Sequence, residues 1–199
     1  MEKFKQVSKM KGNGFYFSYN VDKENIEYGI SKILFQILKN KKDIVIVSLG
    51  VDTVIGDCLG PLVGSMLKRN GIKNVYGTLD KTVNMSNISK ILNEIHEKFN
   101  EPYILVVDAA ISSEDNVNNI ILKNGGFEPG IKSNNGKRVS IGDLSLVGVV
   151  WREDYKRYNL LTLLEQCDFE DVLRLARAIS KILILTFLRL KKEGLYYGF

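Results

Sequence analysis

Two aspartates stand where a carboxylate is chemically exposed. Asp57 lies in Ser48-Leu49-Gly50-Val51-Asp52-Thr53-Val54-Ile55-Gly56-Asp57-Cys58-Leu59-Gly60-Pro61, a turn-rich stretch between two apolar runs. Asp108 closes the run Tyr103-Ile104-Leu105-Val106-Val107 and is followed by Ala109-Ala110. If the two preceding runs are neighbouring strands of an open α/β sheet, both motifs fall beyond carboxyl ends of strands, where such sheets bind ligands. Two close carboxylates share a proton, because like charges at short range do not both ionise cheaply. One then activates water as a base, and the other, protonated, polarises a carbonyl. A helix N-terminus favours the charged form of Asp57, and a desolvated strand end favours the neutral form of Asp108. The expected roles are therefore Asp57 as base and Asp108 as acid.

Each aspartate also has a plainer reading. Asp57 suits an N-cap, with Pro61 tolerated in the first turn, and Asp108 suits a turn aspartate that accepts a bond from the residues after it. The loop around Asp57 superficially resembles a phosphate loop, but it is neither G-x-G-x-x-G nor G-x-x-x-x-G-K-[ST]. Its glycines are better read as freeing the backbone for a sharp turn. The single histidine, His96, flanks the apolar stripe of a helix and reads as a solvated or core-edge residue. Cys58 adjoins Asp57 with no histidine beside it, so it reads as a small buried side chain and not as a nucleophile. The residues expected to line the site are Gly50, Asp52, Thr53 and Gly56 of the same loop, joined by Asn84.

The elements that must position these groups are legible from periodicity. Ile26, Ile30, Ile33, Leu34, Ile37 and Leu38 recur at helical spacing after Asp22, a plausible cap. Residues 43–48 form a short, β-branched, continuously apolar run, as a strand covered on both faces should. Leu59, Leu62, Val63, Met66 and Leu67 mark a second helix that stops at Asn70-Gly71. A strand over 74–79, a helix over 86–99 and a strand over 103–108 complete an α-β-α-β-α-β series, which predicts parallel strands joined by helical crossovers. Strands are expected at 117–123 and 138–151, separated by the turn-rich residues 124–137, and a long helix at 169–192. The predicted fold is a three-layer α/β/α sandwich with a mainly parallel central sheet. It comprises one domain over 21–199, preceded by an N-terminal arm over 1–20.

Bulk properties narrow the function classes. The chain has 199 residues, 45% hydrophobic and 26% charged, which suits one domain with a sizeable core. The net charge of +5 comes from basic residues scattered along the chain, a solvated surface more than a nucleic-acid footprint. The apolar stretch Ile182–Leu185, continued by Phe187-Leu188, is flanked by Lys181 and Arg189 and is far below membrane-spanning length. Two cysteines are too few for a disulfide framework, and the N-terminus has no signal-peptide pattern, so a cytoplasmic location is expected. No cofactor, nucleic acid or membrane partner is expected. Tyr196, Tyr197 and Phe199 form an apolar end that either folds back or packs on a partner, which leaves the oligomeric state open.

The motifs Gly56-Asp57-Cys58-Leu59-Gly60-Pro61-Leu62-Val63-Gly64, Val75-Tyr76-Gly77-Thr78-Leu79 and Val107-Asp108-Ala109, in this order, resemble the YyaC-type sporulation proteins. The likeness continues through Gly125 to Gly130 and Ile141 to Val149. That family is similar in turn to the spore germination protease and, more distantly, to hydrogenase-maturation endopeptidases. The resemblance implies a phosphorylase/hydrolase-like fold and a cytoplasmic setting in a sporulating cell. It also places Asp57 and Asp108 where the germination protease has two essential aspartates. Maturation endopeptidases use those positions, with a later histidine, to hold a metal; no histidine follows Asp108 here, so no metal site is expected. Near Thr82-Val83-Asn84 the YyaC pattern is expected to carry Pro and His, whereas Asn84 hydrogen-bonds but does not titrate. Three readings follow. The first is a peptidase with an aspartate dyad acting on a sporulation-related protein or peptide. The second is a non-catalytic binding or scaffold protein on the same fold, and the third a metal-dependent maturation-type endopeptidase.

Overall fold

The computed structural model describes residues 15–126, 140–152, 159–196 and 198. Six strands form one sheet: β1 (Tyr16–Asn20), β2 (Ile44–Ser48), β3 (Val75–Tyr76), β4 (Tyr103–Ser112), β5 (Asn119–Asn124) and β6 (Leu144–Arg152). Five α-helices accompany them: α1 (Ile26–Leu38), α2 (Leu59–Arg69), α3 (Ile88–Lys98), α4 (Leu160–Glu165) and α5 (Phe169–Lys192). The strand order is β1-β5-β6-β4-β2-β3. The block β6-β4-β2-β3 is parallel throughout, and β5 pairs antiparallel with both β6 and β1. The sheet is therefore mainly parallel, as expected, with one reversed strand.

The layers follow from the winding. The chain steps from β2 out to β3 through α2, then back across β2 to β4 through α3. Right-handed crossovers taken in opposite directions put their helices on opposite faces. On one face α1, α2 and α5 bury Leu34, Leu59, Leu67, Leu175, Ile179 and Leu183 against Ile44, Ile46, Leu105 and Leu146. On the other, α3 buries Ile88, Ile91 and Ile95 against Val45, Val47, Ile104 and Val106. Complete burial of such side chains contributes about 1.5–3 kcal/mol each, which is why β2 and β4 are apolar on both faces.

Several boundaries differ from the sequence-based expectation for physical reasons. Residues 16–20, read as the end of an arm, form edge strand β1 against β5; residues 1–14 lie outside the described residues. α1 begins after Asn25, not Asp22, whose carboxylate instead pairs with Arg174 at 2.8 Å. The strand expected over 74–79 is only Val75–Tyr76, because Gly77 turns the chain with φ +89°. The strand expected to begin at 138 begins at Leu144, and most of the turn region before it lies outside the described residues. Helix α4 was not anticipated: its Leu163 and Leu164 are buried, but a six-residue segment is too short for a periodic signal. Of the C-terminal aromatic residues, Tyr196 folds back, edge-on to Phe187 at 4.7 Å; Tyr197 and Phe199 lie outside the described residues.

The close approach of α2 to the carboxyl ends of β2 and β3 is the tightest feature of the fold. A Cβ on Gly64 would lie 1.8 Å from the Gly77 carbonyl oxygen, and one on Gly60 1.9 Å from that of Leu49. Backbone atoms cannot yield as side-chain tips do, so both positions exclude a methyl group. Gly64→Ala is expected to destabilise by about 3 kcal/mol despite alanine's better helix propensity. That would appear as a melting-temperature loss of roughly 6–12 °C for a chain of this size. A neutral result would show that α2 is free to shift away from the sheet.

Candidate active site

β2 hydrogen-bonds to β4 only as far as the pair Ser48 and Val107, with a last bond from Leu49 N to the Val107 carbonyl at 2.7 Å. There β2 turns away. β4 does not stop, as the sequence suggested, but continues to Ser112 with β6 as its partner, and Asp108 pairs with Val147. Asp108 is thus the first residue of β4 to lose its neighbour on the β2 side. The crevice at that departure is the candidate site, beyond the carboxyl end of β2, where open sheets bind ligands.

Asp57 enters this crevice from a 3₁₀ turn, Gly56–Cys58, which leads into α2 and packs against β4. It is not the helix cap that its position suggested. Cys58 occupies that place without a side-chain bond, and the Asp57 Oδ2 instead accepts from Val51 N at 3.0 Å, across its own loop. Asp108 Oδ1 accepts from Ala109 N at 2.8 Å, the local bond expected of a turn aspartate. Each carboxylate therefore uses one oxygen on a backbone N–H, and no hydrogen bond joins the two groups.

Their electrostatic settings are unequal. Asp108 is 7% exposed, and burial pushes its carboxyl well above the usual carboxylate range, with the Asp57 charge adding to the rise. Asp57 is half-buried and is raised by desolvation, partly offset by the Val51 N–H. The rise at Asp108 has the direction expected of a desolvated strand end, whereas Asp57 is raised as well, opposite to the effect expected of a helix N-terminus.

The remaining predicted residues divide into two groups. Asp52 and Thr53 are exposed on the loop. Gly50 and Gly56 are buried in packing: a Cβ on Gly50 would sit 1.9 Å from the Asp57 carbonyl oxygen, and one on Gly56 2.7 Å from the Cys167 sulfur. Gly50 also needs its φ of +136°, so the turn argument holds there, whereas Gly56 is required for close approach instead. Asn84 follows Val83, whose carbonyl accepts from Gly50 N at 2.8 Å, so the structure brings it beside the loop. Its Oδ1 is engaged by Ser86 N at 2.9 Å, in the turn that starts α3. Cys58 is buried and bonded to the Ile55 carbonyl, and burial with the Asp57 charge raises its thiol, which keeps it from thiolate chemistry.

The residues that sequence reasoning missed are backbone groups and packing partners: Val51 N, the Val83 carbonyl, Cys167 and Gly77. Gly60 and Gly64 carried a usable signal, since four-residue spacing aligns them on the face of α2 that meets Leu49 and Gly77. A metal does not fit the described donors. Asp57 and Asp108 supply oxygens, but His96 is exposed on α3 with its Nδ1 at 2.7 Å from the Leu92 carbonyl. Among the described residues no three His, Cys, Asp or Glu side chains converge on a point. No helix among them is long and apolar enough to cross a membrane.

Residues 17–182 match the family described as "Protein of unknown function (DUF1256)". The chain belongs to this family. It is 31% identical over 147 residues to "Uncharacterized protein YyaC" of Bacillus subtilis (strain 168), covering 73% of this chain and 70% of that protein. This agrees with the resemblance read from the motifs. Among solved structures it is similar to a [NiFe] hydrogenase maturation protease, HycI, from Thermococcus kodakarensis KOD1, at 20% identity and a TM-score of 0.41. That match covers 76% of this chain and 98% of HycI.

The raised Asp108 gives a stability test independent of activity. Its folded-state pKa lies above its unfolded value, so folding takes up a proton in the interval between them. Stability is then highest below the ordinary carboxylate pKa, falls as pH rises through the interval, and is flat above it. Asp108→Asn keeps the acceptor for Ala109 N without the ionisation. It is expected to remove this decline and to leave the variant more stable than wild type at neutral pH. A gain of about 1 kcal/mol would appear as roughly 2–4 °C in melting temperature. Parallel pH–stability curves for the two proteins would show that Asp108 does not ionise with a raised pKa.

Proposed function

We infer that this protein is a peptidase whose site is the Asp57–Asp108 pair, acting on an extended polypeptide laid across the crevice between β2 and β4. The observation that carries the reading is the inequality of the two carboxylates at a strand end: one buried, with its carboxyl pushed well up by desolvation, the other more accessible and anchored by Val51 N.

The chemistry follows from that inequality. The Asp57 carboxylate takes a proton from a water molecule as its oxygen attacks the scissile carbonyl carbon. Asp108, protonated, donates a hydrogen bond to the carbonyl oxygen and stabilises the charge that develops there. Collapse of the tetrahedral intermediate breaks the C–N bond, and the proton held by Asp57 passes to the leaving amine. Asp57 is again charged and Asp108 again neutral, so the pair is ready for another cycle. On this reading Asp52 and Thr53, on the exposed part of the loop, contact the backbone of the bound chain. The family likeness suggests a sporulation-associated protein as substrate and the cytoplasm of a sporulating cell as the setting.

A second reading has its own support. Each carboxylate already accepts a backbone N–H, which is what a purely structural aspartate does. On that reading the crevice binds a polypeptide without cutting it. Peptide-library digestion with mass-spectrometric readout separates the two. Wild type is expected to cleave, and Asp57→Asn and Asp108→Asn each to lose about 10²–10⁴-fold in rate, with folding intact by circular dichroism. Cleavage retained in either variant would remove the dyad mechanism. Binding without cleavage by wild type would establish the second reading.

A further inference from the structure

The two edges of the sheet differ. β3, at one end of the order, is two residues long and offers little to pair with. β1, at the other end, has five residues and registers against β5 without a bulge. Main-chain groups alternate in direction along an antiparallel strand. Val21 N donates to the Asn118 carbonyl at 2.9 Å, and the Phe15 carbonyl accepts from Asn124 N at 3.1 Å, so the odd-numbered residues here turn toward β5. Tyr16, Ser18 and Asn20 consequently turn their main-chain groups outward. Of these groups only the Asn20 carbonyl has a main-chain partner among the described residues, Lys23 N at 3.3 Å. Such an edge is a template for another strand, and proteins ordinarily guard it with a lysine, a proline or a bulge. The stretch Phe15-Tyr16-Phe17-Ser18-Tyr19-Asn20-Val21 contains neither a charge nor a proline.

A groove of about 670 Å³ lies between β1 and α1, lined by Phe17, Tyr19, Tyr28, Lys32 and Ile33. Tyr28 is 56% exposed there, and Lys32 Nζ, the one charge among the lining residues, stands over its ring at 4.1 Å. We propose that β1 is an interface that pairs antiparallel with β1 of a second copy of this chain, about a two-fold axis at Ser18. The strand is complementary to itself in that arrangement. Ser18 faces Ser18 of the second copy and Tyr16 faces Asn20, in hydrogen-bonded pairs, so each outward N–H meets an outward carbonyl. Phe17 faces Tyr19 of the second copy in the closer, non-hydrogen-bonded pairs, on the groove side, where aromatic cross-strand pairs are stabilising. No like charges are opposed along the seam, because the strand has none. A contact of this kind closes on itself at two copies and uses up the unguarded edge. The strands β5 and β6 separate β1 from β4, so the inference does not depend on the peptidase reading.

The full chain is tested by sedimentation equilibrium across about a hundredfold range of concentration, and a dimer is expected. Ser18→Pro removes the central outward N–H while leaving the ladder to β5, which does not use it. Ser18→Ala is the control, because both variants lose the bond that Ser18 Oγ accepts from Asn119 Nδ2 at 3.1 Å. Dimerisation is expected to weaken at least about tenfold in Ser18→Pro and less than about twofold in Ser18→Ala. Amide hydrogen exchange, read residue by residue on wild type, locates the contact and needs no variant to fold. The Tyr16, Ser18 and Asn20 amides are expected to be protected in the dimer. A monomer at every concentration overturns the proposal, whether or not an unrelated extended peptide adds to the edge. So does a dimer that Ser18→Pro leaves as tight as Ser18→Ala does, or one in which those three amides exchange freely, since the copies would then meet elsewhere.

Discussion

The contact between two backbone segments, the turn at Gly50 and the 3₁₀ turn at Gly56–Cys58, governs the rest of the structure. The α-carbon of Gly50 sits against the Asp57 carbonyl so closely that a methyl group there would be 1.9 Å from its oxygen. Because that contact is made by main chain, it sets the place of Asp57 to within the stiffness of the backbone. Side-chain packing alone would leave more freedom. The same loop returns a second constraint through Val51 N, which binds the Asp57 carboxylate. Below it, Gly60 and Gly64 bring α2 down onto Leu49 and Gly77. The Asp57 carboxylate is thereby carried on a stiff turn over a stiff sheet end.

The sheet supplies the second half of the site by ending unevenly. β2 turns away after Ser48, while β4 runs four residues beyond its Asp108 with β6 still beside it. A strand continued past its neighbour exposes one edge to a crevice and keeps the other in the sheet. Asp108 is consequently desolvated, and burial more than any partner pushes its carboxyl well above the usual range. Asp57, on the 3₁₀ turn above the sheet, feels less of that burial. The unequal burial of the two carboxylates is a property of where the strands stop.

Much of this protein was legible in its residues. The continuous apolar runs of β2 and β4 and the periodic stripes of α1, α2, α3 and α5 specify a mainly parallel, three-layer α/β domain, because burial on two faces and burial on one stripe leave different patterns. The two aspartates stood out because a carboxylate after a buried run or before a helix carries a desolvation or capping consequence wherever the chain goes. Features that depend on pairing partners were not legible. The extension of β4 past Asp108, the edge strand β1 and the shortness of β3 are decided by which strand lies alongside, and a single strand's residues do not record its neighbour. Likewise Asp57 reads as a cap in isolation, and its turn toward Val51 N follows from the Gly50 contact made across the loop. The residue types thus determined that two carboxylates would stand at sheet ends. Tertiary structure decided that one would be buried and the other anchored, because desolvation and backbone contact depend on what packs nearby.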